Sequence, residues 1–368
     1  MYIKSNTQPV IGCVFDLEKK PGTPRSLTKL WYPSKQICDR FIFILRCGAM
    51  PQVGAISDKK ANEFIEVLRI IAAFGIVAYH GKAPFHDFTY SGLIIFLILS
   101  PYVDCDYNWG RKRSVLDIAK KLLIPWALWM IIYGVLNLVM RKPLLPVPNP
   151  IAGILYGTSA HLWFIPAIFA VLVFLNAVKK KIDAGLLFWV CVCLTVVLLL
   201  ASPIWRPISM GWTPPFAQWA HGATAVFMGI ALGLYKKMPQ RQAFVARIMI
   251  FLTLIYVFLK FIPGISVSYL VGAALPIVAV VSWSYWGPVR WSVRALSACM
   301  LGVYFSHILF LYVFSRLTGP GNYVTVTLAF VAAALVTWVA QRFIPYAQLA
   351  FGPKVVYAPS RARSGEYR

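Results

Sequence analysis

The chain has little negative charge. Twelve Asp and Glu stand against 36 Lys and Arg, a formal net charge of +24, and charged residues of both signs make up 13% of 368 residues. After Asp183 the only acid is Glu366. Proton- or cation-coupled transporters normally keep Asp or Glu within the membrane, so a carboxylate relay through the second half is disfavoured. The seven cysteines include no Cys-x-x-Cys pair and no ligand-like spacing, which speaks against a disulfide framework and a metal site. Cys191 and Cys193 lie inside an apolar run, where a small buried hydrophobe is the expected role. There is no Gly-x-Ser-x-Gly elbow to mark a serine nucleophile. Nor do the two halves show the repeat expected of an inverted-repeat transporter.

What the chain does have is apolar length. A hydrophobic share of 59% and a mean hydropathy of +0.69 exclude a soluble domain of this size and imply an all-α polytopic membrane protein. Apolar runs recur at about 64–81, 88–104, 118–139, 161–178, 184–201, 214–234, 244–262, 266–285, 294–315 and 322–344. Their length suits about ten transmembrane helices, the only structure such runs can adopt in lipid. Lys and Arg cluster in the loops after the second, fourth, sixth and eighth runs, from Arg111 to Lys121 and again at Lys179, Lys180 and Lys181. That distribution predicts cytoplasmic termini and reflects membrane topology rather than nucleic-acid binding. Residues 1–60 are polar, with Pro21, Pro24 and only the short apolar run Phe41 to Leu45. They read either as a cytoplasmic extension or as sequence upstream of a true start at Met50. Residues 61–345 form the membrane domain, and residues 346–368 a short basic cytoplasmic tail.

The same topology places every histidine on the outer side: His80, His86, His161, His221 and His307. Outward imidazoles without buried acids suit acid–base chemistry at the outer boundary. The most informative pair is Arg69 and His80. Eleven residues apart, they return to within roughly 20° of one helix face, about 16 Å apart along the axis. Arg69 alone fits either a guanidinium snorkelling to the interface or a forked donor for a phosphate or polarised carbonyl. His80 fits either a helix C-terminal cap or a base. Similar pairs of readings hold elsewhere. His161 with Trp163 is an acceptor platform or an interfacial aromatic beside a helix-starting His. His307 with Tyr304 and Ser306 is a catalytic group or a hydrogen-bonded core residue. Asp87 is a partner for His80 or His86, or a solvated loop acid. The stretch from Trp205 and Arg206 to Trp219 reads as an aromatic outer loop lining an acceptor groove, stiffened by Pro214-Pro215.

These residues resemble the signature of acyltransferase family 3, the bacterial integral membrane O-acyltransferases. Arg69, ten residues and His80 match its first-span motif. The resemblance continues through Ser91 to Ser100 (SGLIIFLILS, with Pro101 where the family has Gly), the basic segment leading to Lys120, Lys121 and Pro125, HLWF at His161 to Phe164, and GVYFSH at Gly302 to His307. It covers about residues 61–345.

The resemblance implies transfer of an acetyl or succinyl group from cytoplasmic acyl-coenzyme A to a hydroxyl, either of a cell-surface polysaccharide such as exopolysaccharide or of its lipid-linked oligosaccharide precursor. The setting would be the bacterial inner membrane, with no tightly bound cofactor, no metal and no nucleic acid. Under it His80 is the catalytic base and Arg69 holds the donor, while Arg111, Arg113 and Lys121 collect the nucleotide end. His161, Trp163, His307, Tyr304 and Asp87 support the acceptor. Outer cations such as Lys82, Arg141 and Arg206 would favour a succinyl carboxylate. The rival readings are a flippase of glycan intermediates and a non-catalytic scaffold for polysaccharide assembly. One problem stays open at this level. His80 lies roughly 24 Å from the start of its helix, most of a core about 30 Å thick, so a cytoplasmic donor reaches it only if the interior opens a cavity.

Overall fold

The computed structural model describes residues 63–111, 113–238, 251, 265–286 and 293–352. The expectations for residues 1–60, for nearly all of the run 244–262 and for the tail beyond Gly352 lie outside these. Among the described residues all regular structure is helical. The first half runs α1 (Glu63–His80), α2 (His86–Thr89), α3 (Ser91–Asn108), α4 (Val115–Val139), α5 (Pro150–Tyr156), α6 (Phe164–Val178) and α7 (Ala184–Leu200). The second runs α8 (Ser202–Met210), α9 (Phe216–Leu234), α10 (Ile265–Trp286), α11 (Arg294–Ser297), α12 (Met300–Thr318), α13 (Tyr323–Phe343) and α14 (Gln348–Phe351).

Every expected apolar run within the described residues coincides with a helix. By length and composition, 4 helical segments among these residues suffice to cross a membrane: His86–Asn108, α4, α12 and α13. A fifth is added if α7 and α8, bent by 77° relative to each other, count as one broken span. A count of about ten is therefore not shown. Two of the helices outside that set fall short for visible reasons. α1 carries Glu63, Glu66 and Arg69 in its first two turns, and α6 has 15 residues.

Several helix starts are fixed by polar side chains that accept otherwise orphaned backbone N–H groups. Ser114 caps α4, Asn149 caps α5 ahead of Pro150, Asp183 caps α7 and Asn322 caps α13.

α3 is the axis of the bundle, packed against α1, α9 and α10. Lipid offers no hydrophobic drive between helices, so they associate through close van der Waals contact at small residues. A Cβ built on Gly92 would lie 2.4 Å from the Ala72 carbonyl oxygen of α1, and one on Gly229 of α9 would lie 2.2 Å from that of Ile98. Backbones that close leave no room for a methyl group. Gly229→Ala is accordingly expected to destabilise the protein by about 1–3 kcal/mol, seen as a lower Tm for the purified variant in detergent.

Two expectations are corrected. The second apolar run was expected to end at about residue 104, yet α3 continues through Pro101 and past Asp104 and Asp106 to Asn108. The reason is neutralisation: Asp104 accepts from Arg113 Nη1 at 2.7 Å and from Lys179 Nζ at 2.5 Å. The stretch read as an aromatic outer loop folds in part as α8, which Pro203 helps to start. The bend before it is held by hydrogen bonds from Ser202 Oγ to the Leu199 carbonyl and from Trp205 Nε1 to that of Leu198, both 2.7 Å.

Candidate active site

α1 carries Arg69 near its start and His80 at its end, and the interior opens beside each. At the His80 end lies a cavity of about 410 Å³ whose lining includes His80, Asp87, His161, Trp163, Arg206 and Gln218. At the Arg69 end a second cavity, of about 340 Å³, is lined by Arg69, Ser100, Asp104, Arg113, Ser297 and apolar side chains of α3, α6 and α12. Phe164 and Tyr304 border both. These two rings, with centroids 5.4 Å apart and exposures of 6% and 5%, form the partition between the cavities. The interior that sequence reasoning required is therefore present, in two halves that meet at an aromatic wall.

Three imidazoles gather on the His80 side of the wall. Ring centroids are 5.3 Å apart for His80 and His307, 6.1 Å for His80 and His161, and 4.9 Å for His161 and His307. Their hydrogen bonds separate their roles. The Nδ1 of His307 lies 2.7 Å from the Tyr304 carbonyl. A carbonyl only accepts, so Nδ1 carries the proton and Nε2 presents a lone pair in the neutral ring; that Nε2 is buried without a partner among the described residues. His161 is held through Nδ1 by Ser159 Oγ at 3.0 Å, and its backbone carbonyl accepts from the Tyr304 hydroxyl. Tyr304 thus serves as wall, anchor of His161 and tautomer setter of His307. Tyr133 packs edge-on against His161 at 5.2 Å and donates to the Phe305 carbonyl at 2.7 Å, fixing the platform from behind.

Asp87 borders the cavity but pairs with His86, at 3.4 Å. His221, on the same side, stands apart from the triad and contacts Tyr90 and Tyr269 instead, at 5.5 and 5.0 Å. Trp163 is 7% exposed and borders the cavity.

On the Arg69 side, Arg69 Nη1 reaches Glu66 Oε2 at 3.0 Å, and Ser297 Oγ donates to the same oxygen at 2.5 Å. Arg113 is pinned by Asp104 and by Asn176, whose Nδ2 donates to the Arg113 carbonyl at 2.9 Å. Two cations and two carboxylates therefore frame this half. Of the basic residues expected to collect a nucleotide, Arg113 lines the cavity, while Arg111 and Lys121 are exposed outside it. Among the described residues no group of three or more His, Cys, Asp or Glu is arranged to hold a metal ion.

Sequence reasoning named Arg206 as an outer cation and at the start of the stretch to Trp219 read as lining an acceptor groove, but did not single out Gln218 within that stretch and passed over Ser297. Ser297 carried no signal, being one small residue near Arg294 in a basic segment. Gln218 had a weak one, an amide beside Trp219 in the first turn of α9.

No curated protein and no solved structure matches the chain. A family model described as an acyltransferase domain matches residues 62–342, a segment that holds the histidine cavity, the wall, all three clustered imidazoles and the lining of the Arg69 cavity apart from Phe351. The chain therefore belongs to acyltransferase family 3 and is a multi-pass membrane acyltransferase.

Proposed function

We propose that the protein transfers an acetyl or succinyl group from acyl-coenzyme A, bound from the cytoplasm, to a hydroxyl of a cell-surface glycan or its lipid-linked precursor on the outer side of the bacterial inner membrane. The observation that carries this reading is the pair of cavities meeting at Phe164 and Tyr304, with arginines below and imidazoles above. The positive-inside rule sets the Arg69 end toward the cytoplasm.

In this reading the donor's anionic end stays near Arg69, Arg113 and the exposed Arg111 and Lys121, where forked guanidinium donors suit phosphate and polarised carbonyl oxygens. Its thioester arm lies in the apolar half of the inner cavity and meets the wall. The acceptor hydroxyl sits beside His80. A neutral imidazole takes the hydroxyl proton as the oxygen attacks the thioester carbon, a C–O bond forms, the C–S bond breaks, and the imidazolium returns the proton to the departing thiolate. His161 and His307, with Nε2 atoms that lack partners among the described residues, support His80 by accepting from the hydroxyl or from the imidazolium. Direct transfer needs no covalent acyl-enzyme.

A strain lacking the gene is expected to keep its surface glycan but lose the acyl groups on it, and the wild-type gene restores them, as read by mass analysis of the polysaccharide. Loss of the glycan itself would point instead to transport or assembly. In vitro, Arg69→Ala is expected to raise KM for acyl-coenzyme A by about 10- to 100-fold, the loss of one charge-assisted contact, with a smaller change in KM for the acceptor.

A further inference from the structure

A third cavity lies on the flank of the bundle. α6 and α9 both pack against α3 but leave a slot of about 320 Å³ between them. Its floor is Leu97 of α3, and its sides include Ala167, Val171 and Phe174 on α6 and Ala223 and Phe227 on α9. Phe174 is 54% exposed, so the slot opens at the side of the protein, where a multi-pass protein meets lipid. Small residues at Ala167, Gly222 and Ala223 keep it open. From Trp163 to Phe174 it descends about 16 Å along α6, roughly half of a hydrocarbon core about 30 Å thick. It begins at the histidine end, between Trp163 and Trp219.

Trp163 borders both this slot and the histidine cavity. Where the two approach each other, buried polar atoms lack partners among the described residues: the Nε donor of Arg206, the Nε1 donor of Trp219 and the Oε1 acceptor of Gln218. Arg206 and Gln218 face the histidine cavity. Buried polar atoms left unpaired are costly and rare, and this set asks for a ligand with an anionic oxygen to accept two N–H groups and a hydroxyl to donate to the amide.

We propose that the acceptor is an amphiphile: its apolar tail lies in the slot between α6 and α9, its hydroxyl-bearing head enters the histidine cavity past Trp163, and an anionic phosphodiester between the two meets Arg206. This rests on the acyl-transfer reading and narrows its acceptor to the lipid-linked class. A free polysaccharide has no tail to fill the slot, and an ordinary bilayer lipid would fill the slot without a head that uses Gln218.

The test does not depend on turnover. The full-length protein in lipid nanodiscs is photolabelled with decyl glucosyl phosphate carrying a diazirine in its alkyl chain, and a diazirine phosphatidylcholine serves as the bulk-lipid control. Peptide mapping is expected to place the glycolipid label on residues 167–174 and 219–230, while the control labels the lipid-facing helices broadly. Ala223→Phe, and independently Ala167→Phe on the facing wall, should each reduce the glycolipid label at least about tenfold by filling the slot, with unchanged elution in gel filtration. Arg206→Gln should weaken labelling by about tenfold, the loss of one charge-assisted contact. A glycolipid pattern identical to the control, or label insensitive to all three substitutions, overturns the proposal and leaves the acyl-transfer reading intact. Specific labelling in a protein whose deletion strain keeps fully acylated glycan has the opposite meaning.

Discussion

His80→Ala lowers the rate of acyl transfer by about 10²- to 10⁴-fold, the range a positioned general base supplies, at unchanged protein level and Tm. The expectation rests on what the other imidazoles are already doing. His307 commits Nδ1 to the Tyr304 carbonyl, and His161 is tied to Ser159 and pinned by Tyr304. His80 ends its helix and faces the outer cavity, where an acceptor can reach it. His161→Asn is expected to cost less, because an amide keeps the bond to Ser159 while losing only the ring Nε2. The measurement is initial rate in proteoliposomes with labelled acyl-coenzyme A. If His161→Asn proves the more damaging and His80→Ala retains more than a tenth of the wild-type rate, the base assignment moves to His161.

The second large effect concerns folding. Asp104→Ala is expected to destabilise the protein by about 3–5 kcal/mol, the cost of leaving a buried ion without its partner. Asp104 is 4% exposed. The Lys179 side chain, at 7% exposure, has Asp104 as its ion-pair partner and, among the described residues, otherwise the Asp104 carbonyl at 2.8 Å and the face of Trp109 at 5.7 Å. Removing the carboxylate strands the ammonium and releases Arg113 from the inner cavity. The double variant Asp104→Asn with Lys179→Met removes both buried charges and should recover more than half of the loss, measured as Tm and as yield of folded protein. A double variant no better than Asp104→Ala would show that the carboxylate acts through Arg113 instead.

The same ion pair shows where sequence reasoning stopped. A lone carboxylate at the end of an apolar run reads as its boundary, because an unpaired charge in lipid is costly. The lysine that makes Asp104 tolerable stands 75 residues away, and nothing local announces it. Apolar runs were legible because each is a property of contiguous residues, and the Arg69 and His80 relation was legible because both ride one helix. His161 and His307 could be assigned to the same end of the bundle as His80, but their contact with it depends on how α1, α6 and α12 pack. His221 looked equivalent in depth and lies elsewhere, against Tyr90 and Tyr269. α8 was hidden for a different reason: a 9-residue helix after a sharp bend is too short to show a reliable period. Arg111 and Lys121 satisfied a charge pattern without being aimed at the cavity.

The aromatic wall between the two cavities has an electrical consequence. In the proposed orientation Phe164 and Tyr304, which border both cavities, separate the two sides of the membrane, so part of the membrane voltage would fall across these rings. A potential of 100 mV acts on each elementary charge with about 2.3 kcal/mol over the full crossing. Under the proposed acyl transfer, a neutral acetyl thioester would pass such a barrier without electrical work, the donor's phosphates staying on the Arg69 side. Under the same proposal a succinyl group would carry its carboxylate outward through the field, a direction that an inside-negative potential favours. The same partition that separates donor from acceptor would thus let an energised membrane assist one acyl group and leave the other indifferent.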